Sequence, residues 1–103
     1  MIIKTKIGLK NLKGEEFKNE EGEVFTLGQA LANIVVGAKE DGKMKLFLLG
    51  TKLFQNEKVE VDEVDLLLLK RAVKTTEIYG ALIAGQCELL LESLNEKPNE
   101  TTK

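Results

Sequence analysis

Histidine and tryptophan are absent from this sequence, and cysteine, proline, arginine, serine and tyrosine occur once each. Without histidine, the commonest general base and the commonest metal ligand are missing. The lone Cys87 cannot close an internal disulfide or complete a structural zinc site, so the fold must hold without a staple, as in a reducing compartment. Apolar runs such as Leu66 to Leu69 fall far short of the ~20 residues that cross a bilayer. The N-terminus alternates apolar and polar residues where a signal peptide would carry an unbroken apolar stretch. No phosphate loop, dinucleotide fingerprint or nucleophile elbow is present. The formal net charge of −2 gives no cationic field for nucleic acid or a membrane surface. These absences predict a soluble protein of the cytoplasm that is not an enzyme, with no cofactor, no metal and no membrane association.

What is present suits one domain. The chain has 103 residues, 43% of them hydrophobic and 31% charged, enough for one core and too few for two. Ile3, Thr5, Ile7 and Leu9 alternate with Lys4, Lys6 and Lys10, the period of a half-buried strand. Turn chemistry at Asn11 to Gly14 and Glu20 to Gly22 extends this into an antiparallel hairpin or meander over residues 1–25. No internal repeat is read. Thr26-Leu27-Gly28-Gln29 is a capping box opening a first helix that stops at Gly37. A second helix covers Lys43 to Gln55, with Gly50 marking close approach of another backbone. Lys58 to Val61 is extended and available to the N-terminal sheet. Asp62 caps a third helix from Glu63 to about Lys74, and a fourth runs from about Glu77 to Leu94. The fold expected is α+β: a small N-terminal sheet, then four helices (26–94) in a compact bundle. Leu31, Ile34, Phe47, Leu67, Leu68, Leu82 and Leu89 form its core, and residues 95–103 are a disordered tail.

Few residues stand out for chemistry. The carboxylates from Glu15 to Glu23 read as a solvated turn, and Asp62, Glu63 and Asp65 as a helix start rather than a cation site. Cys87, in mid-helix without a neighbouring cation, reads as a buried, inert thiol. Lys70, Arg71 and Lys74 gather at a helix end and, with Tyr79 and Gln86, make the candidate interaction surface. Gln86 lies on the apolar stripe of the last helix formed by Ile78, Leu82, Leu89 and Leu90, where a buried amide needs partners.

Taken together, Lys13-Gly14, Gly22, Thr26-Leu27-Gly28, Ala30-Leu31, Val59-Glu60-Val61-Asp62 and Gly85-Gln86 followed by Leu90-Leu91-Glu92 resemble a group of short, largely uncharacterised proteins of tailed bacteriophages and prophages. The resemblance covers residues 1–94 and carries no functional residue across. It implies expression in a bacterial host's cytoplasm. The expected function is a non-catalytic phage accessory protein that binds a phage or host protein, with a homodimer through the last helix as one form. A nucleic-acid-binding regulator and an anti-defence protein that sequesters a small ligand are the alternatives.

Overall fold

The computed structural model describes residues 1–38 and 42–94. In chain order it contains β1 (Ile2–Lys4), α1 (Leu27–Val36), α2 (Lys43–Gln55), β2 (Lys58–Glu60), α3 (Glu63–Thr75) and α4 (Ala81–Ser93). The expected tail, 95–103, lies outside the described residues. The architecture is α+β, with a two-stranded antiparallel sheet and four helices among the described residues.

Helix α1 is the centre. Leu27, Gly28, Ala30, Leu31, Ala32, Ile34 and Val35 are all buried, and α2, α3 and α4 each pack against it. Its start is the expected capping box: Gln29 N–H donates to Thr26 Oγ1, and the Thr26 amide donates to Gln29 Oε1, each at 3.3 Å. Two further first-turn amides find carbonyls of the N-terminal segment. Leu27 N–H donates to Ile7 O at 2.8 Å and Gly28 N–H to Thr5 O at 3.0 Å. A Cβ on Gly28 would lie 2.5 Å from Leu53 O and 2.6 Å from Thr5 Cβ, so glycine alone admits this approach.

The N-terminal strand pairs across the chain. Ile3 faces Val59 in β2, and Val61 N–H donates to Met1 O at 2.8 Å, as the extended character of residues 58–61 allowed. Thr5 continues the seam through its amide to Glu57 O and its hydroxyl to Asn56 O. The alternation read through residue 9 breaks after Thr5: Ile3, Thr5 and Leu9 are buried, but Ile7 is exposed.

Between β1 and α1 the chain holds an internal repeat that the pattern reading missed. Residues 10–17 and 18–25 both read Lys-Asn-x-x-Gly-Glu-x-Phe. In each copy the asparagine Oδ1 accepts two amides, Lys13 and Glu15 on Asn11, Glu21 and Glu23 on Asn19. In each copy the glycine takes a left-handed turn, with φ of +86° at Gly14 and +84° at Gly22. Three residues spaced by eight then close a cycle of backbone hydrogen bonds: Phe17 N–H to Leu9 O, Phe25 N–H to Phe17 O, and Leu9 N–H to Phe25 O, at 2.9–3.0 Å. The expected meander is therefore a small closed ring, with Leu9 fully buried beneath it.

The helix spans follow the sequence closely, but α2 and α4 turn inward a face other than the one centred on Phe47 in α2 and on Leu82 and Leu89 in α4. Helix α2 buries Leu46, Leu49, Gly50 and Leu53, and exposes Met44, Phe47, Leu48 and Phe54. Gly50 does mark a close approach, to the Val35 and Val36 side chains of α1 more than to backbone. Helix α4 begins at Ala81 rather than Glu77, because Ile78 N–H turns back to Thr76 Oγ1 and Gly80 caps the helix. It buries Cys87 and Leu91 and exposes Leu82 and Leu89. In α3 Leu66 and Leu69 are buried while Leu67 is 62% exposed. Of the expected core, Leu31 and Ile34 are buried, Leu68 is partly covered, and Phe47, Leu67, Leu82 and Leu89 lie outside. The reason is common to the three helices: each is apolar on more than one side, so periodicity alone leaves the inward face undecided.

Candidate functional site

The five residues picked as an interaction surface sit on different parts of the fold. Lys70 is nearly buried, with its Nζ 3.5 Å from Glu92 Oε1 on α4. Lys74 lies 4.0 Å from Glu88 Oε2, also on α4, and Arg71 is exposed on α3. The lysines therefore work mainly as links between α3 and α4. Tyr79 accepts a hydrogen bond from Asn33 Nδ2 at 2.8 Å, and its ring packs on Phe25 at 5.9 Å between centroids.

Gln86 is fully employed. Its Oε1 accepts the Lys10 amide at 2.8 Å, and its Nε2 donates to Lys10 O and Leu82 O, both at 2.7 Å. The side-chain amide thus acts as a one-residue strand partner for Lys10. It pins the first repeat turn against α4, which gives the amide the partners its place on the helix calls for. One consequence is that Leu12, at that turn's tip, stands 93% exposed beside α4.

Leu12 completes a groove of about 740 Å³ along the outer side of α4, lined also by Ala81, Leu82, Gly85 and Leu89. Glu88 and Glu92 rim it, and α4 carries no basic residue. The outer side of α2 is a second apolar surface, formed by Met44, Phe47, Leu48 and Phe54, with Val36 of α1 exposed beside it. The charges on α2 itself are Lys43, Lys45 and Lys52, with Asp65 of α3 beside Lys45 and Lys52. Lys45 lies 3.1 Å from Asp65 Oδ1, an oxygen that is occluded and holds no aligned hydrogen bond. Soluble monomers rarely expose contiguous apolar area of this kind unless it is used.

The remaining candidates are spoken for. Cys87 is fully buried, and burial pushes its thiol up to about 11. Glu15 and Glu23 accept from the asparagine side chains of their own turns, and Asp62 Oδ1 accepts the Asp65 amide as the cap of α3. Among the described residues no three His, Cys, Asp or Glu side chains gather to hold a metal ion, and no helix is long and apolar enough to cross a membrane. No protein-family model, no curated protein and no solved structure matches the chain.

Proposed function

We propose that this chain is a non-catalytic protein-interaction module, an accessory factor of a tailed phage or prophage that binds a phage or host protein in the bacterial cytoplasm. One observation carries the reading. The outer faces of α2 and α4 expose large apolar side chains, among them Met44 at 77%, Phe47 at 61% and Leu89 at 73%, that the fold itself leaves uncovered. Leaving such groups in water forgoes the roughly 1.5–3 kcal/mol that burying each would contribute, and a partner's surface would recover it.

The rival readings have less support. A nucleic-acid surface at Lys70 to Lys74 would rest on one lysine that is nearly buried and another facing Glu88. A trap for an anionic ligand needs converging cations. The cleft of about 390 Å³ beside the C-terminal ends of α1 and α3 is lined by Glu77 and no lysine, and in the groove of about 420 Å³ where Lys45 and Lys52 do converge, Asp65 Oδ1 lies 3.1 Å from the Lys45 ammonium.

Capture from the lysate of infected cells tests the proposal. Wild-type protein should retain a specific phage or host protein, and Phe47→Glu or Leu89→Lys should release it while the variant stays folded by circular dichroism. Equal capture by wild type and both variants would remove the apolar faces from the argument.

A further inference from the structure

Building on the reading of this chain as an interaction module, we propose that one of its occupants is a second copy of the same chain, with α2 of one molecule seated in the α4 groove of another. The two surfaces complement each other in charge. The α2 ridge is Met44, Phe47, Leu48 and Phe54 flanked by Lys43, Lys45 and Lys52 without an acid on the helix. The α4 groove is Leu12, Leu82, Gly85 and Leu89 rimmed by Glu88 and Glu92 without a base on the helix.

Glu88 and Glu92 pair with Lys74 and Lys70 at 4.0 and 3.5 Å, yet their side chains stay 39% and 48% exposed, so each can face a second cation from outside. Lys43 and Lys52 make no ion pair among the described residues. Among the described residues α2 and α4 are not principal packing partners, and the outer faces of both stay exposed. Like faces would bring lysines against lysines or glutamates against glutamates, which repels. An anionic lipid surface could cover the α2 ridge but would leave the acid-rimmed groove exposed. The α2-to-α4 contact can be made twice about a two-fold axis or once, head to tail.

The test uses light scattering and sedimentation on the full chain. Wild type should show a concentration-dependent mass above the monomer, weakening as sodium chloride screens the charges. Phe47→Glu places an acid against the acidic groove, and Leu89→Lys places a base against the basic ridge. Both residues are exposed, so both variants should stay folded. Each alone should loosen association by at least about tenfold, as the loss of an interface anchor does. Mixed together they should recover a one-to-one complex, because each still carries the face the other needs. A wild-type chain that is monomeric at every concentration overturns the proposal, and so does one that instead sediments with anionic phospholipid vesicles. Variants that associate like wild type, or that fail to complement on mixing, also overturn it. None of these failures touches the capture of a different protein from lysate, which decides the module reading separately.

Discussion

At the residue scale, glycines give opposite answers to the same substitution. A Cβ on Gly28 would press into the Leu53 carbonyl at 2.5 Å and the Thr5 side chain at 2.6 Å, where α1 enters the core. Backbone cannot yield as a side-chain tip can, so Gly28→Ala should cost about 3 kcal/mol, read as a lower denaturation midpoint. Gly85, within α4, meets nothing within 4 Å. There Gly85→Ala removes only backbone freedom and should raise stability by about 1 kcal/mol. A second residue-scale prediction comes from Cys87. Its thiol rises from 9.0 to about 11 through burial. Above pH 9 the unfolded thiol ionises while the folded one stays neutral. The unfolded state then holds fewer protons, and stability falls with pH until the folded thiol also ionises. The loss should reach about 3 kcal/mol across that window. Titrating stability against pH for wild type and Cys87→Ala isolates it, because lysine ionisation is common to both while the cysteine step is absent from the variant.

At the element scale, the first repeat turn depends on a single side chain from the far end of the chain. Gln86 offers the Lys10 backbone both an acceptor and a donor, and among the described residues no other backbone hydrogen bond of Lys10 replaces them. Gln86→Ala should cost about 1–2 kcal/mol and speed hydrogen exchange at the Lys10 amide, leaving the second turn at Asn19 protected as before. If both turns loosened equally, the ring would be one cooperative unit and the pin would have no local role. The spans of α1, α2 and α3 and the caps at Thr26 and Asp62 were legible in the sequence, because caps and breakers are local chemistry. The inward faces of α2 and α4 were not. Phe47 and Leu89 sit at good helical spacing for a core, and only the docking of Gly50 on Val35 and Val36 and the burial of Cys87 choose the other side. The eight-residue repeat was visible in principle as Lys-Asn-x-x-Gly-Glu-x-Phe. Its period is far shorter than the usual repeat units, and its polar turns carry no hydrophobic periodicity to draw the eye. The candidate surface was half legible. Gln86 was found, but the use of its amide, holding Leu12 beside α4, depends on a contact 76 residues apart. Phe47 was expected in the core, and its exposure on α2 was not legible.

At the scale of the whole molecule, the sheet ties the first residues to the middle of the chain. Ile3 is buried opposite Val59, and the seam continues through Thr5 to Asn56 and Glu57, beside the first turn of α1. The ring of residues 8–26 hangs between this seam and α4, so neither the ring nor the helices have a separate core. Ile3→Ala should therefore act globally, costing about 2–4 kcal/mol by transfer and cavity terms and lowering the melting temperature by roughly 10–20 °C for a domain of this size. Two probes can report whether the loss is cooperative. Far-UV circular dichroism follows the helices. The fluorescence of Tyr79, the sole tyrosine in a chain without tryptophan, follows the junction where its ring meets Phe25 of the ring and its hydroxyl meets Asn33 of α1. One shared core requires the two transitions to coincide in wild type and to shift together in the variant. A tyrosine signal that melts ahead of the helices would mean that the repeat ring unfolds by itself, and that Leu9, for all its burial, contributes little to holding α1 and α4 together.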